Sequence, residues 1–161
     1  MKTIILLLCI IAFGVAHADP VTVMVSQPGQ DKVVFLTQVA QTLRTFTNHS
    51  GFEACGGVAT DGQRYGVAIS TSNSHVGCAI DTHNVPDGMH YVGETIHSHS
   101  RQKLAHLSEQ DLLFTGGNSQ IIRTDADYFS ANDYAIPGYL AGRSALFYQH
   151  GEGTQQRVSS W

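Results

Sequence analysis

Apolar side chains recur at intervals of three and four residues in the first third of the chain. These apolar positions are Val33, Leu36, Val39, Ala40, Leu43 and Phe46. The spacing places them on one face of an α-helix. Asn48, Ser50 and Gly51 follow, and residues of these types favour the end of a helix. The pattern therefore predicts one amphipathic helix.

Beyond this helix the pattern changes to short β-type segments. Residues 52–60 and 64–70 flank an Asp-Gly pair at 61–62, which predicts a β-hairpin. Residues 75–80 and 91–97 are predicted to form two further strands, separated by a stretch rich in turn residues.

The last third alternates short helices and strands. Short helices are predicted at residues 108–114 and 130–136, and a final hairpin at residues 139–141 and 145–149. One helix followed mainly by strands, with short helices between them, predicts an α+β domain around a mixed β-sheet.

The chain is predicted to contain one domain, at residues 31–151. Residues 19–30 form a polar lead-in with Pro and Gly. Residues 152–161 are rich in Gly, Gln and Ser and are expected to be a flexible tail.

Residues 1–18 have the parts of a secretory signal peptide. Lys2 gives a positive start, residues 4–15 are apolar, and Ala-His-Ala at 16–18 fits the small-x-small cleavage pattern. The apolar run is short for a membrane span, and no later run is long enough. We therefore expect a periplasmic or secreted protein whose mature form has no membrane span.

The charge balance speaks against nucleic acid as a partner. Without Lys2 the chain has eight basic and thirteen acidic residues, a net charge of −5 with neutral histidine. Such a field repels the phosphate backbone and anionic membrane surfaces, and there is no basic run to override it.

Two cysteines, Cys55 and Cys78, remain after signal-peptide cleavage. In an oxidising compartment such a pair is expected to form a disulfide, with two buried free thiols as the alternative. The bond would close a loop of 23 residues. In the chain-entropy model this stabilises the fold by about 3 kcal/mol.

His97 ends the strand predicted at residues 91–97, and His99 lies two residues further along. Side chains at i and i+2 of a strand project to the same side, so both imidazoles can face one metal ion. A catalytic zinc site also needs a third protein ligand and a nearby carboxylate that accepts a proton from water.

Two further segments offer these groups. Glu53 begins an apolar, glycine-containing strand, where a charge is costly unless it is paired or functional. In the second segment Ser130 can cap a short helix, and Asp133 lies one turn along that helix.

In this order the motifs resemble the JAB/JAMM (MPN) metalloprotease domain. They are E-x-C-G-G at 53–57, H-S-H at 97–99, F-S-x-x-D at 129–133 and the later Y-L…Y at 139–148. The resemblance covers roughly residues 37–151. It is to bacterial, secreted JAB-like families of unknown function that are often attached to RHS-type toxins.

The resemblance implies a ligand set and a chemistry. His97, His99 and Asp133 would bind Zn²⁺, Glu53 would be the general base and then the acid, and Ser130 would help to hold the developing oxyanion. The implied substrates contain peptide, isopeptide or other amide bonds, including ubiquitin-like linkages and cell-wall amides.

The chain departs from the family pattern at two places. Ser100 replaces a proline that commonly follows the second histidine, and the segment from His99 to Ser130 is much longer than in the compact pattern. A second Ser-x-x-Asp lies closer, from Ser108 to Asp111, so Asp111 is an alternative third ligand.

Alternatives also exist for the roles of other residues. Glu94 competes with Glu53 as the base, and His106 is a candidate neighbour of the site. Cys55 and His75 superficially resemble an NlpC-type cysteine peptidase. A third hypothesis is a catalytically degenerate JAB-like domain with a binding or accessory role.

Overall fold

The computed structural model describes residues 18–100, 103–104, 106–116, 122–123 and 125–161, so the predicted signal peptide lies outside it except for residue 18. The elements are β1 (Asp19–Val25), α1 (Lys32–Ser50), β2 (Ala54–Thr60), β3 (Tyr65–Thr71), β4 (His90–Ser98), β5 (Lys103–Leu104), α2 (Glu109–Phe114), β6 (Ile122–Arg123), a 3₁₀ helix (Ala131–Ala135), β7 (Gly138–Ala141), β8 (Ala145–Gln149) and β9 (Gln156–Ser160).

Helix α1 forms where the apolar periodicity predicts it. Asp31 caps its start by accepting a hydrogen bond from the Val34 N–H at 3.0 Å. Gly51 ends it in the left-handed conformation, with a φ of 80° that glycine adopts without steric cost. The helix follows β1, so it is not the first element of the domain. Its buried apolar residues are Phe35, Leu36, Val39, Ala40 and Leu43.

Seven strands form one sheet in the order β1-β3-β2-β4-β7-β8-β9, and β5 pairs with β6. Neighbours in the large sheet are antiparallel except for β4 and β7, which are parallel. The α+β class and the mixed sheet are thus confirmed. The predicted hairpins β2–β3 and β7–β8 and both predicted short helices are also present.

Three sequence predictions are wrong. Residues 19–30 are not only a lead-in, because β1 pairs with β3. Residues 152–161 are not merely a flexible tail, because β9 pairs with β8. Both strands lie at sheet edges, where one row of backbone hydrogen bonds can hold a strand without a strong apolar pattern.

The third error concerns residues 75–80, which form a loop and not a strand. Bonds from outside the loop fix its path. Cys78 is bonded to Cys55, the Ala79 N–H donates to Ser72 Oγ at 3.0 Å, and the His75 N–H donates to the Asp111 carboxylate at 2.7 Å. These partners satisfy backbone groups that a strand would pair with a neighbour.

Strand β4 lies in the middle of the sheet. At its carboxyl end, His97 is opposite Cys55 of β2 and Leu140 of β7. Helix α1 packs on this sheet with its apolar face in the main core. Among the described residues, no helix is long and apolar enough to cross a membrane.

Candidate metal centre

Side chains at the end of β4 project alternately to the two faces of the sheet. Ser98 faces helix α1, because its Oγ lies 2.6 Å from Thr47 Oγ1 and accepts a hydrogen bond from the Ala54 N–H at 3.2 Å. Because neighbouring side chains of a strand alternate, His97 and His99 project to the other face. Both histidines are buried, with 7% of each residue exposed.

The two imidazoles and Asp133 form a group that can hold a metal ion. The Nε2 atoms of His97 and His99 lie 3.1 Å apart. Asp133 Oδ1 lies 3.5 Å from His97 Nε2, and Asp133 Oδ2 lies 3.2 Å from His99 Nε2.

These distances fit a small tetrahedral ion. Metal–ligand bonds of about 2.1 Å place neighbouring donor atoms about 3.4 Å apart in a tetrahedron. The two Nε2 atoms, 3.1 Å apart, and the pair His99 Nε2–Asp133 Oδ2, 3.2 Å apart, lie slightly below that value, and Asp133 meets His97 through its other oxygen at 3.5 Å. Three protein ligands also leave the fourth position open.

Backbone carbonyls set the tautomer of His99. Its Nδ1 lies 3.1 Å from the Asp125 carbonyl oxygen and 3.0 Å from the Tyr128 carbonyl oxygen. A carbonyl oxygen only accepts, so Nδ1 carries the proton and Nε2 is left with a lone pair when the ring is neutral. This outer hydrogen bond is typical of metal-binding histidines.

Asp133 is positioned by the start of the 3₁₀ helix. Its Oδ2 accepts a hydrogen bond from the Ser130 N–H at 2.6 Å. Buried Gln149 donates from Nε2 to the carbonyl oxygens of Asp133 and Ile136, both at 2.7 Å. The ring of Phe129 packs edge-on against His97, with centroids 5.9 Å apart. The carboxylate therefore projects from a fixed turn.

Proton affinities within the group are strongly perturbed. Burial disfavours the charged carboxylate, but hydrogen bonds from His97 and His99 hold the pKa of Asp133 far below its usual range. Burial lowers the pKa of His97. Burial also acts against protonated His99, but its hydrogen bond to Asp133 and the charge of Glu53 outweigh this and raise its pKa to about 9.

Glu53 lies at the same cavity, just before β2, and is only 4% exposed. Its backbone N–H donates to the Ser74 carbonyl at 2.8 Å. Burial raises the pKa of its carboxyl group to about 8. The nearby His99 opposes this shift, and the Asp133 carboxylate adds to it.

A cavity of about 800 Å³ opens beside the group. Its polar end is formed by Glu53, Thr95, His97, His99, Ser130 and Asp133. The candidate catalytic and metal residues of the sequence analysis therefore lie together. Sequence reasoning missed Thr95, Asn132 and the outer carbonyls of Asp125 and Tyr128, because no local pattern marks a group that acts through its position in space.

Asp111, the alternative third ligand, is outside this group of described residues. It is fully buried, and its Oδ1 accepts hydrogen bonds from Ser74 Oγ at 2.8 Å and the His75 N–H at 2.7 Å. Its Oδ2 accepts from the Ser108 N–H at 2.9 Å and lies 3.1 Å from His75 Nδ1. Its carboxylate therefore connects α2 to the loop at residues 72–80 through hydrogen bonds.

The remaining candidates lie elsewhere. Glu94 pairs with Lys32. Neither Glu94 nor His106 lines the cavity. The predicted disulfide joins Cys55 to Cys78, so the cysteine-peptidase hypothesis is wrong for this structure because Cys55 has no free thiolate.

Comparisons with protein-family models, with curated proteins and with solved structures find no match to this chain.

Proposed function

We propose that this protein is an exported, zinc-dependent hydrolase of the JAB/JAMM type that cleaves a peptide, isopeptide or other amide bond. One observation carries the proposal. His97, His99 and Asp133 each offer one ligand atom within 4.8 Å of the others, and they share a cavity with the buried carboxyl group of Glu53. The disulfide fits an oxidising compartment and so supports export.

Zinc is favoured by the donor set. Two imidazole nitrogens and one carboxylate with an open fourth position are typical of catalytic zinc. Bound zinc supplies a Lewis acid and lowers the pKa of a water molecule towards neutrality. His97, His99 and Asp133 would hold the ion, and the carbonyls behind His99 would keep its Nε2 directed at it.

Glu53 would move the proton. A general base works best when its pKa is close to the working pH. Burial raises the pKa of Glu53 to about 8, so near neutral pH its carboxyl group can both accept and release a proton. It would take the proton of the attacking water and return it to the leaving nitrogen.

Ser130 would stabilise the developing negative charge. It lies at the exposed rim of the cavity, three residues before Asp133. Its hydroxyl group can donate a hydrogen bond to a carbonyl oxygen that becomes negative in the transition state.

The test combines metal analysis with two matched carboxylate variants. Protein purified without chelator should contain about one zinc per chain by native mass spectrometry. Glu53→Gln should keep the zinc and lose hydrolysis of a fluorogenic peptide library by at least about 100-fold. Glu94→Gln, remote from the cavity, should keep both.

Two results would decide against the proposal. A chain that takes up no zinc, and whose melting temperature is indifferent to chelator, would remove the metal centre. A chain that binds zinc but cleaves no amide would instead be a degenerate JAB-like binding protein.

A further inference from the structure

Apolar side chains also line the cavity beside the metal centre. Its wall is formed by side chains from the loop after β3 and from the end of α2. These are Val76, Ile80 and Phe114, and Ile136 after the 3₁₀ helix also lines the cavity. Polar ligands and apolar wall line one continuous space, so a molecule bound at the metal also reaches the wall.

Contact between Gly77 and Phe114 holds the wall together. A Cβ atom at Gly77 would lie 2.4 Å from Phe114 Cδ1 and 2.5 Å from Cγ, closer than any real contact. The aromatic ring therefore packs directly on the Gly77 backbone. Only a residue without a side chain allows this approach.

Two further connections fix the wall relative to the metal centre. The Cys55–Cys78 disulfide joins the loop to β2, the strand next to His97. Asp111 joins α2 to the same loop by accepting hydrogen bonds from Ser74 and His75. Because the wall is held at both ends, it is a preformed binding surface, and it loses little conformational entropy when a ligand binds.

The charges of the cavity disfavour an acidic occupant. Glu53, Asp125 and Asp133 are acidic residues, and the described lining residues include no Lys or Arg. Val76, Ile80 and Phe114 carry no charge, so an acidic group placed against them would lose water and gain no counter-ion from them.

The apolar surface continues out of the cavity. Tyr128 and Ile136 line it and are 65% and 44% exposed. Exposed apolar side chains gathered at the mouth of a site are typical of a binding surface.

From this geometry we infer the substrate class of the same site, an inference that rests on the proposed function. The substrate is a polypeptide with a bulky apolar side chain, of leucine or phenylalanine size, next to the amide at the metal centre. That side chain packs against Val76, Ile80 and Phe114. Amides flanked only by small or acidic groups leave the wall uncovered and bind more weakly.

The test uses three zinc-binding probes that differ in one side chain. They are the hydroxamates of N-acetyl-leucine, N-acetylglycine and N-acetyl-aspartate, titrated calorimetrically into the zinc-loaded protein. We expect the leucine probe to bind at least about tenfold more tightly than the others, the scale of discrimination by an apolar pocket. Equal affinities, or tighter binding of the aspartate probe, would overturn the inference.

Three variants test whether the apolar wall causes the preference for the leucine probe. Ile80→Lys places a cation in the partly exposed wall and should abolish the leucine preference while strengthening aspartate binding. The matched control, Leu113→Lys, puts the same charge on α2 outside the cavity and should keep the preference. Val76→Thr, nearly equal in size, should weaken leucine binding without disturbing the fold. A preference that survives both wall variants excludes this wall as its source.

Failure of the proposed function can be distinguished from failure of the inference about the wall. If the chain takes up no zinc, that function fails, and the wall is then tested in chelator-treated protein. N-acetyl-leucinamide should shift the NMR signals of Val76 and Ile80, and N-acetyl-aspartamide should not. Equal shifts, or none with either amide, would overturn the assignment of the wall.

Discussion

Cys55 of β2 lies directly opposite His97 of β4, so the Cys55–Cys78 disulfide is anchored one strand away from the candidate metal centre. The bond joins that position to the loop that forms the apolar wall. The loop and the candidate ligand His97 are therefore both attached to β2, close to the middle of the sheet.

Removing the disulfide should destabilise the protein. The double variant Cys55→Ala/Cys78→Ala should lose about 3 kcal/mol of unfolding free energy, the chain-entropy value for the 23-residue separation. Urea denaturation measures the difference, and dithiothreitol should lower the stability of the wild type but not of the variant. Insensitivity of the wild type to reductant would contradict a bond that stabilises the fold.

Replacing each of the two aspartates by alanine distinguishes the candidate metal ligand from the carboxylate that stabilises the fold. Asp133→Ala should weaken zinc binding by at least about 100-fold, because it removes a direct ligand. Asp111→Ala should keep the zinc stoichiometry and cost about 3 kcal/mol, because it leaves buried donors without an acceptor. Mass spectrometry and urea denaturation report the two effects. The reverse pattern would make Asp111 the ligand.

The metal-free protein should lose stability as the pH rises from about 7 to about 9, an interval above the usual histidine pKa, where His97 with its lowered pKa is neutral in both states. Burial raises the pKa of Glu53 from 4.5 to about 8. Despite burial, the bond to Asp133 raises the pKa of His99 from 6.5 to about 9. Both groups bind a proton more tightly when folded. Their contribution is complete below the unfolded pKa values and is lost as the pH passes the folded ones.

Zinc should reverse this trend, because it takes the place of the proton at the ligand atoms. Zinc affinity should therefore rise with pH over the same interval. Urea denaturation at several pH values, with zinc and with chelator, tests both statements. Parallel pH profiles with and without zinc would argue against metal binding at these side chains.

Gly77→Ala should displace the apolar wall. The new methyl group would overlap the Phe114 ring, and overpacking of this kind costs about 1–3 kcal/mol. Leucine hydroxamate should bind more weakly, while the zinc content stays unchanged. Gly29→Ala is the control, because its φ of 74° strains the backbone but nothing lies within 4 Å of the added Cβ. Equal probe affinity in both variants would contradict the role of Gly77.

Local pattern predicted the elements whose apolar residues face one continuous core. The helix at α1 and the hairpins β2–β3 and β7–β8 follow from periodicity and turn residues, because burial of one face imposes a fixed spacing. The edge strands β1 and β9 were not predicted. They are held by backbone pairing with β3 and β8, which requires no strong apolar pattern in the sequence.

The sequence by itself determined that His97 and His99 face one side, because residues two apart on a strand always do. The resemblance favoured Asp133 and left Asp111 as the alternative, and the tertiary structure places Asp133, and not Asp111, beside the two histidines. Both carboxylates accept a hydrogen bond from the backbone N–H of a serine three residues earlier, so they are locally alike. They differ in their other partners. Asp111 accepts hydrogen bonds from Ser74 and His75, whereas Asp133 lies beside His97 and His99. Those partners are distant in sequence, and packing of the chain alone brings them together.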